Sequence, residues 1–116
     1  MAAAKAAYDT KAESISVLDM SGISIMADYF VICSVHTDTH ARAVRQAVMD
    51  AMDGTAMPLR SREGSDISGW ILLDWGDVVV HVFGDEQRDY YLLDRLWGDA
   101  PMRRFFEGDD GTLRFE

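Results

Sequence analysis

Asp74 and Asp77 are the first pair in this chain to test for chemistry. Two carboxylates aimed at one point can hold a divalent cation or polarise a bound substrate through it. Here they flank Trp75-Gly76, at the start of a turn, and no third acidic residue stands nearby on a strand. A turn residue plus a sheet-surface residue is the better account of them. Metal-dependent nucleotidyl transfer would need a Gly-Ser turn followed by two acidic residues alternating along one strand. Gly64-Ser65 does precede a strand ending at Asp74, but Trp75-Gly76 follows and the alternation fails.

The remaining reactive side chains form no better constellation. His36 and His40 have the spacing of one helical face, yet Thr37 or Asp38 between them is where the helix should begin, and His81 is remote in sequence. Cys33 lies within an apolar run, where a free thiol behaves as a small hydrophobe, and no histidine is placed to activate it. There is neither a phosphate-cradling G-x-x-x-x-G-K loop nor a dinucleotide fingerprint. The pairs Arg42/Arg45 and Arg60/Arg62 are better read as solvated surface than as phosphate contacts, and Tyr90-Tyr91 as packing.

Bulk composition narrows the partner. The chain has 116 residues, 20 acidic against 11 Lys and Arg, a net charge of −9 and a pI near 4.6. Phosphate backbones and anionic membranes are bound by excess positive charge, so both are disfavoured. A basic protein partner fits better, because opposite fields steer encounter. A single cysteine excludes an internal disulfide and a thiolate metal cluster. No basic segment leading into an apolar run precedes Asp9, and no apolar stretch approaches the ~20 residues of a membrane span. A cytoplasmic protein is expected.

The elements that must position these residues follow from periodicity. Ala2 to Glu13 predicts a short Ala-rich helix, and Ile15 to Leu18 a strand punctuated by Ser21-Gly22. Asp28 to Val35 is nearly continuous apolar, as in a strand buried on both faces. Thr37 or Asp38 caps a helix whose apolar stripe is Val44, Ala47, Val48, Ala51 and Met52, with Arg42, Arg45 and Gln46 on its solvent side and Gly54 at its end. Pro58 to Arg62 predicts an edge strand and Gly64 to Gly69 a loop. Trp70 to Trp75 and Val78 to Phe83 predict a hairpin about Gly76-Asp77, a Gly-first pair suited to a type II′ turn. Asp85 should cap a last helix, Glu86 to Trp97, stopped by Gly98 and Pro101. The order α-β-β-α-β-β-β-α implies an α/β (α+β) fold, one compact domain with a mixed sheet and flanking helices. Residues 102–116, with a turn at Gly108 to Gly111, are expected as a loosely held C-terminal extension of a domain covering 1–101.

The hairpin can be read face by face. A two-residue turn pairs Trp75 with Val78, which puts Ile71, Leu73, Trp75, Val78, Val80 and Val82 on one face. Trp70, Leu72, Asp74, Val79, His81 and Phe83 occupy the other. The first face is a core surface. The second mixes aromatics with a carboxylate and an imidazole, the blend found in protein interfaces. Two accounts of it stand open: an interface, or a face covered by a helix with His81 and Asp74 as satisfied buried groups.

Five segments together resemble one known family: Lys11-Ala12-Glu13, Ala27 through Ile32, Trp70 through Asp74, Gly76 through Phe83, and Tyr90-Tyr91 with Leu96 through Pro101. They are similar to the ribosomal silencing factor family, also called Iojap-like, over about Lys11 to Pro101. Departures are Ser14 where an acidic residue is common, Trp75 where Tyr is common, and Gly84 where His or Gln is common. The resemblance implies a mixed-sheet domain distantly like a nucleotidyltransferase, usually a homodimer, without catalytic activity or cofactor. It further implies binding to ribosomal protein number fourteen of the large subunit, which blocks small-subunit joining and represses translation. Trp70, the family's tryptophan, is the expected anchor on the basic partner. From the face assignment together with the resemblance, Leu72 and Phe83 are expected as apolar flanks, and Asp74 and His81 as polar groups fixing register. A reduced nucleotidyltransferase and a generic homodimeric adaptor are the alternatives.

Overall fold

The computed structural model describes residues 2–20, 27–55, 57–65, 67 and 69–84, and the backbone of two strands within 102–115. The expected final helix with its Asp85 cap, the Ser21-Gly22 and Gly108-Gly111 turns, and Tyr90-Tyr91 lie outside the described residues.

The first helix, α1, spans Ala2–Asp9 and buries Ala3, Ala4 and Ala7 completely. It ends earlier than its composition suggests. Lys11 takes φ 68°, its N–H donates to the Tyr8 carbonyl at 2.9 Å, and the Ala12 N–H donates to Ala7 at 3.0 Å. These two bonds make a Schellman stop with lysine where glycine is usual. The Thr10 hydroxyl adds a bond to the Ala6 carbonyl at 2.8 Å.

Strand β1 (Glu13–Asp19) runs antiparallel to β2 (Tyr29–Val35), with a register shift between Glu13 and Ser16 where Ser14 takes φ 50°. Helix α2 (Asp38–Asp53) starts at Thr37, whose side chain accepts from the His40 N–H at 3.0 Å. Asp38 in the first turn complements the positive end of the helix dipole. Ala41, Val44, Val48 and Met52 form its buried stripe, while Ala47 and Ala51 lie at the margin, half-buried.

The next strand, β3, is Ser61–Ser65, shifted forward from the expected Pro58 to Arg62. Gly64 and Ser65, expected at the start of a loop, pair with Ile71 and Trp70 of β4 (Trp70–Asp74). Gly64 explains why: at φ 78° it bends within the strand, and a Cβ there would collide with the Trp70 carbonyl oxygen. A residue that reads as a turn is a kink inside a ladder. Strand β5 (Val78–Gly84) completes the hairpin in the expected register, Asp74 opposite Val79 through Trp70 opposite Phe83. Gly76 holds φ 88° at the turn, and the Trp75 N–H donates to the Val78 carbonyl at 2.9 Å.

The strand order is β3-β4-β5-β2-β1, continued by β6 (Met102–Glu107) and β7 (Leu113–Phe115). Among the described strands, β2 with β5 is the one parallel pair. The expected mixed sheet is present. Residues expected as a loosely held tail differ from that reading: the backbone of Met102 to Arg104 pairs with Leu18 to Ser16 at the edge of β1.

Both described helices contribute to one core. Ala3, Ala4, Ala7, Val44, Val48 and Met52 share a cluster with Val17, Val31 and Cys33 and with the hairpin's apolar face, Ile71, Leu73, Trp75, Val78, Val80 and Val82. Burial of the larger of these, the Val, Leu, Ile and Met side chains, stabilises a fold by about 1.5–3 kcal/mol each. The second hairpin face therefore points away from this cluster.

Candidate functional site

Strand pleating puts Trp70, Leu72 and Asp74 of β4 beside Val79, His81 and Phe83 of β5. The parallel neighbour β2 adds Phe30 and Ile32 to the same face, because Ile32 stands opposite His81. From β1, Leu18 lies opposite Phe30. Leu18, Met20, Ile32 and Phe83 form a second, smaller apolar cluster, with Phe30 and Trp70 packed at its margin.

This face is half open. Trp70, Leu72, Asp74 and Val79 are partly exposed, whereas His81 is 4% and Phe83 1% exposed. Phe83, expected as an apolar flank, and His81, expected as a polar group fixing register, are thus buried in the free chain, Phe83 in the cluster with Leu18, Met20 and Ile32. Trp70, Leu72 and Asp74 remain reachable.

The aromatic rings are in register with one another. Phe83 lies 5.1 Å from the Trp70 ring, and His81 is edge-to-face with Phe30 at 5.1 Å. His81 and Phe83 stack at 6.1 Å with planes 5° apart. The Trp70 indole Nε1–H donates to His81 Nδ1 at 3.2 Å. A ring whose Nδ1 accepts must carry its proton on Nε2, and that Nε2 is buried without a partner. Such an orphan donor costs on the order of 1–3 kcal/mol. Burial pushes the imidazole down from 6.5 to about 4, which keeps the ring neutral.

The carboxylates at the turn serve the backbone. Asp74 Oδ1 accepts from the Gly76 N–H at 2.7 Å. The Asp77 carbonyl accepts from the N–H groups of Asp28 and Tyr29 at 2.8 and 2.9 Å, tying the turn to the start of β2. Among the described residues no group of three or more His, Cys, Asp or Glu side chains could hold a metal ion. His36 pairs with Glu13 at 2.9 Å on the surface, and His40 Nε2 lies 2.7 Å from the Thr10 carbonyl, so the three histidines occupy three separate places. Cys33 is buried, as the apolar run implies. Sequence reasoning missed Phe30, which only the parallel pairing of β2 with β5 brings to the site; nothing local in the sequence signals that partner.

Known proteins resemble this chain in sequence and in fold. A family model described as "Ribosomal silencing factor during starvation" matches residues 1–113. The ribosomal silencing factor of Bacillus subtilis is 47% identical over 86% of this chain and 85% of its own length. The chain belongs to the ribosomal silencing factor family. The family match runs beyond Pro101, where the resemblance of individual motifs stops, and so takes in β6. A second ribosomal silencing factor, from Halalkalibacterium halodurans, is 40% identical over 85% of each chain. Among solved structures, a Chromobacterium violaceum protein superposes with TM-score 0.79 at 30% identity, covering 84% of this chain and 81% of its own. A Bacillus halodurans protein does so with TM-score 0.74 at 36% identity, covering 86% and 90%. Among the described residues of this chain, α1 and α2 pack on one face of the mixed sheet, and the partly exposed Trp70, Leu72 and Asp74 lie on the other.

Proposed function

We propose that this silencing factor docks its half-open hairpin face on the large ribosomal subunit, on the basic ribosomal protein number fourteen, and so blocks joining of the small subunit. The observation that carries this reading is a partly exposed tryptophan, Trp70, set among Leu72 and Asp74 on a sheet face of a strongly acidic chain. A half-buried Trp on a rigid sheet is a low-entropy anchor, and hot spots of binding energy concentrate on such residues. The −9 charge favours encounter with a basic surface. Repression is steric: the factor occupies volume that the small subunit needs, so no chemical step is required of it. In this reading the free protein is a cytoplasmic homodimer. Contact falls to Trp70, Leu72 and Asp74, while Phe83 and His81 support them from below.

Co-sedimentation with purified large subunits, followed by light-scattering assay of subunit joining, tests the proposal. The wild-type chain should sediment with large subunits and suppress joining. Trp70→Ala should remain folded, lose about 2 kcal/mol or more of binding, and restore joining. Retention of full binding by Trp70→Ala, with loss of self-association instead, would transfer the face to a homodimeric adaptor role.

A further inference from the structure

His81 occupies an apolar place without apolar chemistry. It lies across from Ile32 on one side and Leu72 on the other, edge-to-face with Phe30 and stacked on Phe83. Packing alone would be served better by leucine or phenylalanine, whose side chains carry no N–H of their own to bury without an acceptor. What imidazole supplies there, and those residues do not, is the Nδ1 lone pair that receives the Trp70 indole proton at 3.2 Å. Unlike a hydroxyl rotor, the ring is planar and held between Phe30 and Phe83, so the direction of its acceptor is fixed. The indole is held in turn, by that bond and by the Phe83 ring 5.1 Å away. Its two side-chain torsions are thus settled before any partner arrives, and preorganisation of that kind lowers the entropic cost of association.

We infer that His81 is a positioning residue for docking: its Nδ1 fixes the rotamer of the Trp70 indole, and it makes no contact with the partner itself. The inference rests on the proposed docking through Trp70. It assigns the orphan Nε2–H as the cost of presenting Nδ1 inward. Replacing the ring by a hydrocarbon should therefore move stability and binding in opposite directions, which a merely structural residue would not do.

The test uses the full chain labelled with nitrogen-15. In the wild type, a through-hydrogen-bond coupling between Trp70 Nε1 and His81 Nδ1, with imidazole shifts of the Nε2–H tautomer, is expected. His81→Phe should unfold at an equal or higher denaturant midpoint, shift the Trp70 indole resonance, and bind large subunits about tenfold more weakly, the scale of one neutral hydrogen bond. His81→Asn, whose side-chain oxygen can accept the indole proton, should bind within about threefold of wild type. Absence of the coupling, or of the Nε2–H tautomer, in the wild type would overturn the inference without need of any variant. Full binding by His81→Phe while Trp70→Ala loses it would overturn the positioning role and leave docking intact. Full binding by Trp70→Ala would instead remove the docking reading on which the inference stands.

Discussion

Among the described residues, His81 is the one imidazole shut away from water, and its burial sets a pH window. The unfolded chain takes up a proton near 6.5, whereas the folded chain resists until about 4, because burial penalises the charged ring. Between those values the unfolded state binds more protons, so stability falls as pH drops from 6.5 towards 4. Protonation also turns Nδ1 into a second donor facing the indole N–H, so that bond is lost with the charge. The loss should reach about 2.5 kcal/mol, read as the difference between wild-type and His81→Phe urea curves at pH 7.5 and pH ~4.5. A difference that did not change with pH would contradict it. Lys11 offers a prediction of opposite sign. Its φ of 68° is tolerated but strained for a residue with a Cβ, and its neighbours' hydrogen bonds do not depend on its side chain. Lys11→Gly should raise stability by about 0.5–1 kcal/mol in thermal denaturation. At this scale the sequence is a partial guide. Lysine gives no hint of a left-handed stop, which is why the helix reads as continuing to Glu13.

Elements were legible where the pattern is local. The hairpin register follows from a two-residue turn, and the apolar face of β4 and β5 follows from alternation, so both match the structure residue by residue. Thr37 capping α2 is equally local, since the acceptor and the donor stand three residues apart. Strand β3 lies further along the chain than its pattern predicts, because glycine followed by serine has the composition of a turn. In the structure that glycine lets the chain approach the Trp70 carbonyl while remaining in the ladder. Gly64→Ala meets both obstacles, a left-handed backbone and a collision with the Trp70 carbonyl oxygen. It should cost roughly 1–3 kcal/mol and speed amide exchange in β3 and β4 more than in α2. Uniform exchange rates across the three elements would argue against a local cause. The depth of His81 and Phe83 was not legible, because it depends on β2 and β1, partners that no short-range signal in the hairpin specifies.

At the level of the whole molecule, charge and shape act together. An acidic chain meeting a basic protein should associate quickly at low salt and more slowly as the Debye length shrinks below ~10 Å. Raising ionic strength from ~0.05 to ~0.3 M should lower the association rate constant roughly tenfold while changing dissociation little, as measured by stopped flow against large subunits. An anchor-dominated interface predicts the complementary result for Trp70→Ala, whose effect should fall on dissociation. A salt-insensitive association rate would mean that net charge has no steering role. The parallel pairing of β2 with β5 has one more consequence, which concerns manufacture. During synthesis Tyr29–Val35 emerges long before Val78–Gly84, so one flank of that apolar strand stays bare while α2, β3 and β4 are made. A nascent or truncated chain stopped after Asp74 displays that bare flank to other chains, and edge-to-edge aggregation should begin there.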